Sequence, residues 1–190
     1  MSVRSYGGSP RTKTTRPAGR PRASGFLIDG THMTGYSMGS FPGGHTAFLA
    51  AAIATHALVG YVLGRSAFGA GAAGLVGGVL ADADFLFPGA WGFPLVHRGV
   101  THSALALGVA AAVVVAADDR RRAGALALGY AAHLAVDATT PKGVPLLYPV
   151  ADASYAVTVN LHSAPATVAL WLCCLTVLAT NRRGERPTPA

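Results

Sequence analysis

Five apolar segments dominate the chain from residue 45 onward: 45–64, 66–81, 103–117, 123–136 and 164–180. At 1.5 Å per residue the first reaches the roughly 30 Å of a bilayer's hydrocarbon core, whereas the middle three reach only some 21 to 24 Å before meeting ionisable residues. Short apolar segments of that kind have two uses. They are buried short helices, or the polar residues at their ends lie at membrane depth and stabilise one another or an ion. The runs GAGAAGLVGG and ALALGYAA are built from residues that let helices approach closely, and no period-two alternation competes. The expected fold is therefore all-α, a polytopic membrane bundle of about five short helices with a polar metal-binding layer at one end.

Composition supports this. Of 190 residues 51% are hydrophobic and only 12% charged, about half the charged fraction of an ordinary soluble domain. The formal charge of +7 is dominated by membrane flanks and by six basic residues in the first 22 positions. No aromatic-interleaved basic stripe or nucleic-acid module accompanies it, so a nucleic-acid partner is not expected. Cys173 and Cys174 are adjacent within an apolar run, where a mutual disulfide would be strained and a metal would need further ligands. They read as packing residues. Residues 1–44 are rich in Gly, Ser, Pro, Thr and Arg and read as a disordered basic tail, with Met33 or Met38 as alternative starts. The working domain is expected over 45–181, followed by a short basic tail over 182–190.

The ionisable residues follow a pattern once all five segments are taken to cross. His45 opens the first segment, Asp82 and Asp84 close the second, and His97 and His102 lead into the third. His133 and Asp137 close the fourth, and His162 precedes the fifth. Alternating direction brings all of them to one membrane face. His133 and Asp137 are four apart and share a helix face. Asp82 and Asp84 converge if the helix has ended in a turn. In HRGVTHS, residues 97 to 103, Gly99 permits a turn and Thr101 or Ser103 caps the next helix.

His45, Asp82, Asp84, His97, His102, His133 and Asp137 form a nitrogen and oxygen donor set suited to zinc foremost, with manganese or iron as alternatives, holding one or two ions. A divalent ion there would generate a hydroxide nucleophile near neutral pH. Arg98 is placed for an anionic substrate group, and Asp84, a candidate ligand as well, is the expected catalytic base where it does not coordinate the metal. His56 reads as a packing residue, roughly 16 Å farther along the helix than His45.

Taken together, PGGH at 42–45, DADF at 82–85, HRGVTHS at 97–103, HLAVD at 133–137 and TPKGVPLLYP at 140–149 resemble the YdjM-like family of membrane-bound, metal-dependent hydrolases. The resemblance covers about residues 42 to 165. It implies a small helical inner-membrane protein with a divalent metal site formed by the seven residues above. His45 departs from the pattern, because 44 residues precede it here, and His56 is its rival as first ligand. The His and Asp arrangement is loosely similar to that of zinc-dependent phospholipases C, which makes a phosphodiester the preferred bond.

The expected activity is hydrolysis of an ester or phosphoester in a lipid-like or amphipathic substrate, with the bilayer as the other partner. The alternative is a membrane transport or sensing protein that passes protons or metal ions. Basic residues near segment ends favour the motif face being extracytoplasmic: Arg65, Arg120, Arg121, Arg122, Arg182, Arg183 and Arg186 lie at the opposite end, Arg98 and Lys142 at the motif end.

Overall fold

A computed structural model describes residues 42–184 apart from 89, 90, 118 and 158. The expected tail over 1–44 lies almost wholly outside the described residues, as does most of the tail over 182–190. Five α-helices make up the fold: α1 Gly44–Phe68, α2 Gly71–Leu80, α3 Ala104–Ala116, α4 Arg120–Ala138 and α5 Ala164–Gly184. Two 3-10 helices, Ala81–Leu86 and Val100–His102, follow α2 and precede α3. The described residues contain no β-strand, only an isolated bridge between Val144 and Tyr155.

Local chemistry sets the boundaries. Gly69 adopts a left-handed conformation (φ 60°) and its N–H returns to the Arg65 carbonyl, ending α1. Ser103 caps α3, its Oγ accepting from the Ala106 N–H at 3.2 Å, and Asp119 caps α4 through the Arg122 N–H at 2.7 Å. Ser103 is thus the cap anticipated within HRGVTHS.

The helices meet through glycine. A Cβ added at Gly74 would fall inside van der Waals contact with the Gly60 carbonyl, and one at Gly129 would do the same to the Gly74 carbonyl. Pairing of Gly60 with Gly74, Gly64 with Ala70 and His56 with Gly78 makes α1 and α2 antiparallel. Backbones that approach this closely gain dispersion contacts that larger residues would forbid. The buried hydrophobic cluster is small, built on Ala81, Tyr130 and Leu134.

Apolar side chains instead face outward. Leu105, Val109 and Val113 on α3 and Val168, Leu172 and Leu175 on α5 are all exposed, while His56, Asp84, His102, His133, Asp137 and His162 are buried. An exterior this apolar over a polar interior matches hydrocarbon rather than water as the surrounding medium. α1 and the stretch Ala164–Asn181 of α5 are each long and apolar enough to cross a membrane.

Candidate metal centre

Each helix delivers its polar residue along the face that carries its glycines. On α4, Gly129, His133 and Asp137 recur every four residues; Gly74, Gly78 and Asp82 do so from α2 into its 3-10 extension; and His56, Gly60 and Gly64 do so on α1. Residues four apart share one helix face, so the stripes that bring the backbones together also bring these side chains together.

His133 lies on α4 with Nδ1 2.7 Å from the Gly78 carbonyl. A carbonyl only accepts, so this nitrogen carries the proton and Nε2 presents its lone pair to the interior. His102 is held in the same manner: its Nδ1 is 3.2 Å from Asp84 Oδ2, and its ring is fully buried. The two Nε2 atoms then face each other at 3.3 Å. Asp137 Oδ2 lies 3.4 Å from His102 Nε2 and 3.8 Å from His133 Nε2, and Asp82 Oδ1 is 3.9 and 3.8 Å from the same two atoms. Each of these two carboxylate oxygens thus lies within 4 Å of both Nε2 atoms.

Such an arrangement suits a cation besides the Arg98 guanidinium, whose Nε lies 3.0 Å from Asp137 Oδ2. Burial by itself lowers the pKa of His102, but the hydrogen bonds and charges of Asp137 and Asp84 outweigh it and raise the pKa above its ordinary value. The surroundings therefore favour positive charge at this ring. Two imidazole nitrogens and two carboxylate oxygens are the donor chemistry of zinc or a similar divalent ion, and the residues present fit one.

The other oxygen of Asp137 meets a second pair of histidines. Oδ1 is 3.3 Å from His56 Nε2 and 3.5 Å from His162 Nε2, and these nitrogens are 3.4 Å apart. His56 stacks on His133 with ring centroids 3.8 Å apart. The Nδ1 atoms of His56 and His162 are buried with no hydrogen-bond partner among the described residues. His56, Asp137 and His162 form one group able to hold a metal; His102, His133 and Asp137 form another; Asp82 completes two more, with His56 and His133 and with His97 and His102.

Two expected ligands sit elsewhere. His45 is exposed in the first turn of α1 and belongs to none of these groups; the helix places His56, three turns on, at the centre instead. Asp84 also lies outside them. Its Oδ1 is 3.1 Å from His97 Nδ1, and its Oδ2 is 3.2 Å from His102 Nδ1. The Thr101 hydroxyl at 2.8 Å and the Arg98 backbone N–H at 3.1 Å donate to the same Oδ2. Burial would raise its pKa, but these hydrogen bonds prevail and hold the carboxyl well below the usual carboxylate range. Asp84 orients both imidazoles from behind. A 3-10 helix turns about 120° per residue, so Asp82 and Asp84, two apart, point to different sides and do not converge.

Arg98 is committed as well. Its Nε lies 3.0 Å from Asp137 Oδ2, and its Nη1 donates to the Thr140 hydroxyl and to the Gly143 carbonyl. The TPKGVPLL segment is thus a brace: it fastens Arg98, while the Leu146 carbonyl accepts from the Ala104 N–H at 2.9 Å at the start of α3. Lys142 Nζ donates to the His97 carbonyl at 3.1 Å. A cavity of about 40 Å³ borders His56, Asp82, His97, Arg98, Asp137 and His162, room for about one water molecule.

His162 and His56 are the residues that sequence reasoning undervalued. For His56 the four-residue step to Gly60 and Gly64 was the available signal; His162 stood in the expected layer but outside the expected ligand set. Residues 44–188 match the model of the family described as YdjM inner membrane protein. No curated protein and no solved structure matches the chain.

Proposed function

We propose that this chain, which belongs to the YdjM inner membrane protein family, is a multi-pass metal-dependent hydrolase acting on an ester or phosphoester of a lipid-like or amphipathic substrate. The observation that carries the reading is the convergence of His102 Nε2, His133 Nε2, Asp137 Oδ2 and Asp82 Oδ1 within 4 Å of one another's nitrogen partners, with both Nδ1 atoms turned to acceptors. His102, His133, Asp137 and Asp82 hold a divalent ion, zinc foremost; His56 and His162 extend the ligand set on the far side of Asp137. When bound, such an ion supplies Lewis acidity, lowering the pKa of water and polarising the scissile group.

The chain's own residues do the rest. Asp84 keeps His97 and His102 in the tautomer that leaves Nε2 free. Arg98 pairs with Asp137 through Nε at 3.0 Å and forms part of the cavity wall where substrate negative charge would develop. Asp82 borders the same cavity and is less enclosed than Asp84, so the carboxylate oxygen of Asp82 that is not a ligand, rather than Asp84, takes the proton from a water there. Phe85 stacks on His97 at 4.2 Å, and Leu86, Trp91 and Phe93 are exposed nearby in sequence, an apolar approach suited to an acyl chain. The arginine distribution favours an extracytoplasmic centre.

The alternative of ion or proton passage draws on His56, which lies mid-way along α1. Beyond it the buried positions of α1 are Gly60, Val62 and Gly64, packed against α2 with no ionisable side chain among them. Along α1, therefore, no buried ionisable group continues the route beyond His56, which supports the hydrolytic reading. Elemental analysis of detergent-purified protein tests the core claim: stoichiometric metal in the wild type that persists unchanged in His133→Ala would overturn the site. Hydrolysis of a phosphodiester lipid, lost on chelation and restored by zinc, tests the reaction.

A further inference from the structure

The opposite end of the bundle holds a larger cavity, of about 470 Å³. Its walls come from three places: Tyr61 and Arg65 near the end of α1, the first turn of α2, and Asp119, Arg121 and Arg122 at the start of α4. Three guanidinium groups border one space. The single described carboxylate there, Asp119, is already engaged, capping α4 and pairing with Arg122 Nε at 3.1 Å. Arg121 is anchored by Nε on the Phe68 carbonyl, and Gly69 gives it room, since a Cβ there would collide with the guanidinium.

The first turn of α2 adds donors. Its first intrahelical hydrogen bond runs from the Gly74 N–H to the Ala70 carbonyl at 3.1 Å, so the N–H groups of Gly71, Ala72 and Ala73 precede the helical ladder. Ala70 provides no side-chain cap. Arginines supply forked donors matched to phosphate oxygens.

We infer that this cavity binds a phosphate-type anion, either the headgroup of an anionic phospholipid or free phosphate, at the face of the bundle opposite the His and Asp centre. The inference does not depend on hydrolytic activity. Its placement suits a headgroup: Ser66, which follows Arg65 in α1, accepts from Asn181 at 3.1 Å near the end of α5, so two membrane-length helices finish at this level.

The test uses the full chain in neutral detergent micelles. Phosphatidylglycerol, phosphatidylcholine and inorganic phosphate are titrated separately, with bound lipid read by native mass spectrometry and phosphate by calorimetry. Saturable binding of phosphatidylglycerol but not phosphatidylcholine identifies a headgroup site; saturable inorganic phosphate of comparable affinity identifies free anion. In either case Arg121→Gln with Arg122→Gln weakens binding at least about tenfold, since two of the three guanidinium groups that border the cavity are lost, while Arg120→Gln, exposed and away from the cavity, leaves it unchanged. Helix content by circular dichroism and metal content show that the double variant is folded. Absence of saturable binding to either anion, or a folded double variant that binds like the wild type, overturns the inference.

Discussion

The two ends of the bundle are made of the same helices yet solve opposite problems. At the His and Asp end, buried side chains crowd around a cavity of about 40 Å³, and their lone pairs face inward. At the arginine end the walls stand back around about 470 Å³, and the side chains carry charge toward an open space. Between them lie the glycine contacts of α1, α2 and α4. The difference teaches that tight packing and polar function are coupled in this fold: where glycines end, charge begins, acceptors on one side and donors on the other.

That contrast can be broken most directly at the ligands. His133→Ala is expected to reduce bound metal from stoichiometric to less than about a tenth, because a buried imidazole ligand cannot be replaced by water without a large loss; elemental analysis reads it. Chelation of the wild type is expected to accelerate amide hydrogen exchange in 97–103 and 133–140 by about tenfold or more while 60–78 stays protected, since only the first two stretches depend on a cation for cohesion. The packed middle comes next. Gly129→Val forces a branched side chain onto the Gly74 carbonyl and is expected to cost about 1 to 3 kcal/mol, seen as a lower unfolding midpoint in detergent with metal bound.

A smaller effect separates Asp84 from Asp82. Asp84→Asn leaves every direct donor in place but disturbs the Nδ1 partners of His97 and His102, so metal affinity is expected to fall by about 10- to 100-fold in a competition titration with a chromogenic chelator. The smallest change is expected at His45, which is exposed: His45→Ala should retain full metal content.

Much of this was legible in the chain because the segments are short. A 14- or 16-residue apolar run with ionisable ends announces where its helix must stop, and Asp82, His97, His102, His133 and Asp137 all lie at such ends. His56 broke the rule, since it sits within a long helix where its only marker is register with Gly60 and Gly64. His45, by contrast, was favoured for its position at a segment end, yet α1 begins there in an exposed turn. The roles of Asp82 and Asp84 depended on whether the chain after Leu80 forms a turn or a 3-10 helix, and DADF fits both. Arg98 could not be assigned to Asp137 from spacing, because the brace that fixes it comes from Thr140 and Gly143, more than 40 residues away.

One carboxylate, Asp137, faces His102 and His133 with one oxygen and His56 and His162 with the other. The two histidine pairs therefore share this carboxylate's charge, and Asp82 adds a second carboxylate beside His102 and His133. A cation seated against one oxygen withdraws electron density from the other and repels a second cation, so the pairs load unequally: a binding isotherm would show a tight step followed by a weaker one, an anticooperativity written into the sharing of one side chain.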